Sequence, residues 1–247
     1  KFGKMLGSSK GPKDKVLHCT SLQNGNFVSC GEKHISYWNI ISGRIQQNEV
    51  KLRSHKRKLI MCVGSLRDDY YIAGTSDGDI LMFKQDKLLD DKKCILKAHK
   101  KSINSLWVHP SGSVFVSGDS TGKVIVWHII TENAFPIVKP FGNFVITGSN
   151  YGKLTPNAKE SRVPPIRSIC LSEDMKKCLV GTQASEIIEY TLTTNNGNFF
   201  DMPVKQDLVS SKIILCGHYK DELWGLGIRP RGRLDTSDDY RPEYCTV

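Results

Sequence analysis

The side chains best suited to chemistry in this chain are eight cysteines and seven histidines, and their spacing does not favour catalysis or metal binding. No two cysteines follow a C-x2-C or C-x4-C spacing, and no histidine pair accompanies them as in a zinc finger. Cys62, Cys170 and Cys178 stand inside apolar runs, where a reduced thiol packs as a small hydrophobic group. We therefore expect no structural metal, no cofactor, and reduced thiols in a cytoplasmic protein.

Enzyme signatures are missing from the sequence as well. Gly-x-Ser-x-Gly occurs at 7–11, 74–78 and 118–122, but no helical pattern follows it as a nucleophile elbow requires. There is no Gly-Lys-Ser/Thr phosphate loop, no His-Glu-x-x-His and no dinucleotide fingerprint. Two carboxylate pairs, Asp68-Asp69 and Asp90-Asp91, stand in turns, where adjacent carboxylates usually face water or cap strands. We expect no catalytic residue and no small-molecule substrate.

The remaining chemical signal is positive charge, since 35 Lys and Arg oppose 25 Asp and Glu for a net charge of +10. Two clusters carry much of it: Lys51, Arg53, Lys56, Arg57 and Lys58, then Lys92, Lys93, Lys97, Lys100 and Lys101. Such clusters attract an acidic protein, a nucleic acid or an anionic membrane surface, and a solvated loop that only aids solubility has the same composition. No apolar run reaches 18 residues, so we expect no membrane span.

A repeat of about 44 residues must position these clusters. Each unit ends in an alternating strand with a closing aromatic residue, at Trp38, Phe83, Trp127 and Tyr190, so that the intervals are 45, 44 and 63 residues. The first two intervals match one four-stranded blade of a β-propeller, and helical periodicity is nearly absent. Because one blade cannot bury both faces of its sheet, neighbouring blades must stack. We expect an all-β propeller fold.

Glycine turns subdivide each unit. A glycine precedes each closing strand, at Gly31, Gly74, Gly118 and Gly181. The longer third interval contains about nineteen extra residues, which the segment from Pro136 to Pro165 accommodates. Its glycines and prolines predict an inserted loop, with Phe144–Thr147 as a candidate for one extra short strand.

Histidines before the predicted inner strands resemble those of WD repeats. His55, His99 and His218 stand where WD repeats place Gly-His. In WD repeats this histidine joins a turn Asp, a Ser or Thr and a Trp indole in a buried polar chain, which is a structural role. We expect that role here rather than catalysis.

Two blades carry an incomplete version of this polar chain. The matching residues are His55, Thr75 and Asp77 in the second blade, and His99, Ser117 and Trp127 in the third. Phe83 replaces the Trp of the second blade, and Thr121 stands where the third blade should have its Asp. No blade has the full set.

Five ordered segments resemble the echinoderm microtubule-associated protein-like family. They are 29–38 (SCGEKHISYW), 78–83 (GDILMF), 98–103 (AHKKSI), 167–189 and 217–226 (GHYKDELWGL). The resemblance runs from about residue 15 to about residue 230 and implies tandem WD-repeat propellers that associate with microtubules. It also implies structural roles for Trp38, His218 and Trp224.

The resemblance predicts how the chain is divided. Residues 1–215 would form the later blades of a first propeller, and residues 216–247 would begin a following blade or a second propeller. About four blades are then visible, with the start of a fifth whose turn would be Thr236–Asp239. The hydrophobic motif and the coiled coil that the family has upstream of its blades do not occur in this sequence.

These observations lead to one favoured function and two alternatives. The favoured one is a non-catalytic scaffold, cytoplasmic and cytoskeleton-associated, whose basic face binds tubulin or microtubules. Because both clusters precede the inner strands of successive blades, we expect Lys51, Arg53, Lys56, Arg57, Lys58, Lys100 and Lys101 on one face. The first alternative is a generic adaptor for peptides or proteins. RNA binding is the second and is less favoured, because no aromatic side chains interleave with the lysines as stacking platforms.

Overall fold

The computed structural model describes residues 7–55, 58–132, 135–147, 163–192, 204–206, 209–216, 226–228 and 244–246. The described chain is almost entirely antiparallel β-sheet, and its helical content is confined to two single 3-10 turns, Arg53–His55 and Asp91–Lys93. The predicted all-β fold is therefore confirmed.

Each of the first two repeats forms a four-stranded antiparallel sheet, here called a blade, whose strands follow one another in chain order. Blade 1 consists of β1 (Val16–Ser21), β2 (Phe27–Gly31), β3 (Ile35–Ile41) and β4 (Arg44–Glu49). Blade 2 consists of β5 (Ile60–Ser65), β6 (Tyr70–Thr75), β7 (Ile80–Lys84) and β8 (Lys87–Leu88).

The later repeats have the same order. Blade 3 consists of β9 (Ile103–Val108), β10 (Val114–Asp119), β11 (Lys123–Glu132) and β12 (Phe135–Val145). Blade 4 consists of β13 (Ile166–Leu171), β14 (Lys177–Thr182), β15 (Glu186–Thr191) and β16 (Ser210–Cys216). A final pair, β17 (Leu226–Ile228) and β18 (Tyr244–Thr246), lies in the segment predicted to begin a further blade; Thr236–Asp239 are outside the described residues.

The chain divides into two compact units, residues 1–103 and 104–247. The core of the first unit joins blades 1 and 2 through buried side chains such as Val28, Ile60 and Phe83. In the second unit, Val116 of blade 3 and Ile188 of blade 4 belong to one buried cluster. Each core is therefore shared by two sheets, as stacking of blades requires.

The closing aromatic residues occupy one register position in all four blades, as the repeat spacing predicts. Their pairs on the second strand are Phe27 with Trp38, Tyr71 with Phe83, Phe115 with Trp127 and Cys178 with Tyr190. All four closing aromatics are buried. In the first three blades the two rings stack with centroids 5.4, 4.9 and 5.6 Å apart, so each pair contributes apolar burial to both strands.

The register corrects one detail of the predicted repeat. Cys30, and not Gly31, is the equivalent of Gly74 and Gly118, because each precedes the turn and pairs with the first or second residue of the third strand. A Cβ on Gly74 would lie 2.7 Å from Cγ2 of Ile103, and one on Gly118 would lie 2.6 Å from Cγ2 of Ile166. These glycines make room for the first isoleucine of the next inner strand.

The predicted insertion between Pro136 and Pro165 is also corrected. Its first part forms β12, the edge strand of blade 3, and Phe144 lies at the end of that strand rather than in an extra one. Pro136 and Pro140 are tolerated because an edge strand has backbone N–H groups that need no ladder partner. Residues 148–162 lie outside the described part.

A segment from blade 4 covers this edge. The Asn143 amide donates to the Val204 carbonyl at 3.2 Å. The side-chain amide of Gln206 accepts from the Val145 N–H at 2.6 Å and donates to the Val145 carbonyl at 3.2 Å. The connection between β15 and β16 therefore returns to blade 3 and satisfies backbone groups that the edge would otherwise expose.

Candidate functional site

The centre of the candidate site is the turn that joins β6 to β7 in blade 2. Thr75 ends β6, and its hydroxyl oxygen accepts from the backbone amides of Asp77 at 3.3 Å and Asp79 at 3.0 Å. Gly78 adopts a positive φ of 88°, and a Cβ there would lie 2.1 Å from the His99 carbonyl oxygen. The turn is thus fixed internally and lies directly against a neighbouring segment.

The first basic loop connects β4 to β5 and covers residues 50–59. Leu52 and His55 are buried, whereas Lys51 and Arg53 are exposed. The loop ends on the turn, because the Ser76 amide donates to the Leu59 carbonyl at 3.0 Å. Lys56 and Arg57 lie outside the described residues.

The second basic loop connects β8 to β9 and covers residues 89–102. Ile95 pairs with Ile80 through two backbone hydrogen bonds of 2.9 and 2.8 Å, and the His99 amide donates to the Gly78 carbonyl at 2.9 Å. His99 is buried, whereas Lys100 and Lys101 are exposed. Lys92, Lys93 and Lys97 of the predicted second cluster are exposed too.

Both basic loops are consequently fastened to the same turn. Ser76 holds the end of the first loop, and Gly78 and Ile80 hold the second. Exposed lysine and arginine side chains of two successive connections are brought to one part of the first unit. This arrangement creates a local excess of positive charge that attracts acidic ligands.

Lys58 differs from the other basic residues because its charge is neutralised within the protein. Its ammonium group forms a salt bridge with Asp79 and another with Asp77, the second at 3.4 Å. Partial burial alone would lower the pKa of Lys58, but hydrogen bonding and attraction to these carboxylates outweigh it and raise the pKa. We do not count Lys58 among the residues available to a partner.

Arg53 has a weaker internal contact. Its guanidinium group lies 3.6 Å from the Asp90 carboxylate, and both side chains are largely exposed. A solvent-exposed pair of this kind contributes little to stability, so an acidic partner can displace Asp90 at small cost.

The predicted polar chains are placed as follows. The Trp127 indole donates to the Ser117 hydroxyl at 2.8 Å, and Trp38 makes the same bond to Ser29 at 2.9 Å. In blade 2 the equivalent residues are Phe83 and Ala73, an apolar pair. His218 and Trp224 lie outside the described residues.

The turn residues of these chains make the following contacts. Asp77, predicted to be the turn Asp of blade 2, forms an ion pair with Lys58. In blade 3 the Thr121 hydroxyl donates to Asp119 at 2.7 Å, and Asp119 also accepts from the amides of Thr121 and Lys123. Asp119 therefore caps its turn as Thr75 does in blade 2.

Sequence reasoning missed Asp79, whose carboxylate is buried between the two basic loops. Its Oδ2 accepts from Lys58, and its Oδ1 accepts from the Lys97 amide at 2.7 Å. In the sequence, Asp79 is visible only as the acidic residue of the Gly78-Asp79-Ile80 segment, and that segment was interpreted as part of the family resemblance.

Six cysteines are free thiols: Cys19, Cys30, Cys62, Cys94, Cys170 and Cys178. Burial raises the pKa of Cys62 and of Cys170 to about 12, which keeps both thiols protonated at neutral pH. Among the described residues, no group of three His, Cys, Asp or Glu side chains is arranged to hold a metal ion.

Comparison with known proteins gives this architecture a family context. A family model described as "WD domain, G-beta repeat" matches residues 91–128, from the second basic loop into β11. The 77 kDa echinoderm microtubule-associated protein of Strongylocentrotus purpuratus is 23% identical over 230 residues, which are 92% of this chain and 28% of that protein. The chain carries a WD repeat and is similar to the echinoderm microtubule-associated proteins. The resemblance and the WD-repeat propeller fold class predicted from the sequence are confirmed.

Two human relatives show the same similarity. Echinoderm microtubule-associated protein-like 1 of Homo sapiens is 24% identical over 203 residues, 82% of this chain and 20% of that protein. Echinoderm microtubule-associated protein-like 2 of Homo sapiens is 22% identical over 210 residues, 83% of this chain and 26% of that protein. The chain thus spans about a quarter of the length of the curated relatives it matches.

With respect to membranes, the described residues contain no helix of the length and apolar character needed to cross a bilayer.

Proposed function

We propose that this chain is a non-catalytic protein-interaction scaffold that binds the acidic surface of tubulin in microtubules. The observation that carries the proposal is the attachment of both basic loops to the single turn 75–80. The proposed basic surface comprises Lys51, Arg53, Lys100 and Lys101, which are exposed, together with Lys56 and Arg57 from the same stretch of sequence. The names of the relatives, which state association with microtubules, support tubulin as the partner.

The strength of such a surface is collective. Each exposed ion pair contributes only about 0–1 kcal/mol, so several must act together to give useful affinity. Their attraction also falls as salt shortens the Debye length to about 8 Å at physiological ionic strength. Binding should therefore be strongly salt-dependent and fast to form.

The proposed scaffold role is accompanied by proposals for the location of the protein in the cell and for its domain organisation. A microtubule-binding scaffold would act in the cytoplasm, associated with the cytoskeleton. We further propose that residues 1–215 form the later blades of a first propeller and that residues 216–247 begin a following blade or a second propeller. In the blades themselves, His55 and His99 are proposed to have structural roles, which their burial supports.

The experiment that tests the proposal is co-sedimentation with purified microtubules across a potassium chloride series. Saturable binding that weakens steadily with salt is the expected result, and RNA added as a competitor should have little effect. The two basic loops contain no Phe, Tyr or Trp on which bases could stack. Lack of binding at low salt would contradict tubulin as the partner and favour a generic adaptor, and efficient competition by RNA would favour nucleic-acid binding.

A further inference from the structure

Asp79 is a charged side chain that the proposed basic surface does not itself use. It is only 4% exposed. An ionised carboxylate at such a site must be paired or hydrogen-bonded to be tolerated. Asp79 meets this requirement with two donors from different segments, the Lys58 ammonium group and the Lys97 backbone amide.

These two donors belong to the two basic loops. Lys58 stands at the end of the first loop, five residues after Arg53. Lys97 stands three residues before Lys100 in the second loop and adopts a positive φ of 56°. One buried carboxylate therefore contacts both connections that supply the basic surface.

The blade architecture does not by itself require an aspartate here. Asp79 directly precedes the residue that pairs with Gly74, and the positions equivalent by register are occupied by His34 in blade 1, Lys123 in blade 3 and Glu186 in blade 4. All four blades nevertheless form the turn and the strand that follows it. The aspartate at position 79 is therefore explained by its local contacts, which are its two bonds to the basic loops.

We propose that Asp79 is the positioning residue of the basic surface, holding the first loop through Lys58 and the second through the Lys97 N–H. The proposal rests on the proposed function for the identity of the partner, but the holding of the loops can be measured without any partner. Loss of the carboxylate would let both loops open, and the lysines at 100 and 101 would lose their common orientation.

Asp77 provides a matched control on the same turn. It also pairs with Lys58, at 3.4 Å, but its side chain is 56% exposed, and the Lys97 amide bonds to Asp79 instead. Asp77→Asn and Asp79→Asn change the net charge by the same single unit. If only charge mattered, both variants would bind an acidic partner slightly more tightly than the wild type. If Asp79 positions the loops, Asp79→Asn binds more weakly although its surface is more positive.

The experiment combines hydrogen–deuterium exchange of the free protein with microtubule co-sedimentation. In Asp79→Asn we expect roughly tenfold faster exchange in both 51–59 and 92–101, because a single neutral amide oxygen replaces the charged carboxylate that accepts from both loops. Exchange in β2 and β6, which contribute to the core of the same unit, should stay at the wild-type level, which excludes unfolding of that unit. Asp77→Asn should exchange like the wild type in 92–101 and bind microtubules at least as well. Lys58→Met, which removes one donor only, should speed exchange in 51–59 alone and covers the case in which Asp79→Asn fails to fold.

The outcomes separate this inference from the proposed function. Unchanged exchange of both loops in Asp79→Asn would overturn the positioning role whether or not microtubules bind. Faster exchange with undiminished microtubule binding would also overturn it, since ordered loops would then be irrelevant to the surface. If the wild type does not bind microtubules while the exchange pattern appears as expected, the holding of the loops is supported and tubulin as partner is contradicted.

Discussion

The Tyr190 hydroxyl donates to the Thr147 carbonyl at 2.8 Å and accepts from the Thr147 amide at 3.0 Å. Tyr190 closes blade 4, whereas Thr147 follows the edge strand of blade 3. Trp38 and Trp127 instead bond to a serine on the second strand of their own blade. The closing aromatic of blade 4 therefore joins two blades through polar contacts, and burial raises its pKa, which keeps the hydroxyl available as a donor.

Tyr190→Phe should remove both bonds to Thr147 while keeping the ring contact with Phe144, whose centroid is 5.0 Å away. Two backbone groups would then lack their partner, and we expect a loss of about 1–3 kcal/mol in the free energy of unfolding. Urea denaturation measures this loss. Tyr37→Phe is the matched control, because the Tyr37 hydroxyl accepts from the side-chain amides of Asn24, which is exposed, and Asn26, which is half-buried. Equal, small losses in both variants would show that the Thr147 contact does not stabilise the protein.

Gly142→Ala tests the segment that covers β12. A Cβ at position 142 would lie 2.1 Å from the Val204 carbonyl oxygen, so the backbone of that segment must move away. We expect a destabilisation of about 1–3 kcal/mol, typical of overpacking, together with faster amide exchange at Asn143 and Val145. Gly11→Ala, where a Cβ meets nothing within 4 Å, should leave both quantities unchanged. A stable Gly142→Ala variant with protected amides would refute this contact.

Blade 2 has an apolar pair where blade 3 has the hydrogen bond between the Trp127 indole and the Ser117 hydroxyl. Phe83 and Ala73 occupy the register positions that Trp127 and Ser117 occupy in blade 3. Replacing both partners of a buried hydrogen bond by apolar groups costs less than removing one. The double variant Trp127→Phe/Ser117→Ala should therefore cost less than the sum of its single variants, whereas Trp127→Ala should cost about 3–5 kcal/mol. Thermal and urea unfolding check this, and strictly additive losses would argue against coupling between the two side chains.

Buried thiols predict a loss of stability at alkaline pH. The pKa of Cys62 and of Cys170 is raised to about 12 from an ordinary value of 9.0. Above about pH 9 the unfolded chain releases these protons while the folded chain keeps them, so the free energy of unfolding falls as pH rises. At pH 10, one unit above the unfolded pKa, the loss is about 1.4 kcal/mol per thiol. Urea unfolding under reducing conditions between pH 7 and pH 10.5 should show this slope, and the Cys62→Ala/Cys170→Ala variant should reduce it. An identical slope in the double variant would contradict the assignment.

Much of the fold could be predicted because the decisive features recur locally. Trp38, Phe83, Trp127 and Tyr190 mark the same strand position, and the sequence intervals between them reflect the blade length. The register of blade 1 was missed because its turn is one residue shorter, which places a cysteine where the other blades have glycine. Pro136 and Pro140 suggested a loop, but edge strands accept proline.

The features that sequence could not predict depend on contacts between distant residues. The Gln206 side chain bonds to the backbone of Val145, which is 61 positions away. No local sequence pattern predicts a side chain that makes the hydrogen bonds a neighbouring strand would make. Asp79 meets Lys58 and Lys97, which are 21 and 18 positions away. The two lysine clusters were visible as composition, but the turn that fastens them together became evident only in three dimensions.

The measurement that tests the central claim most directly is microtubule co-sedimentation of a charge-reversed protein. The test variant changes four exposed residues of the basic surface to Glu: Lys51, Arg53, Lys100 and Lys101. The control variant changes four other exposed lysines to Glu: Lys10, Lys13, Lys139 and Lys212. Both variants carry the same change in net charge, so non-specific attraction is matched. We predict at least a tenfold weaker affinity for the test variant, about 1.4 kcal/mol shared among four residues, and a much smaller effect for the control. Equal binding by the two folded variants would contradict the account and place the microtubule contact elsewhere on the protein.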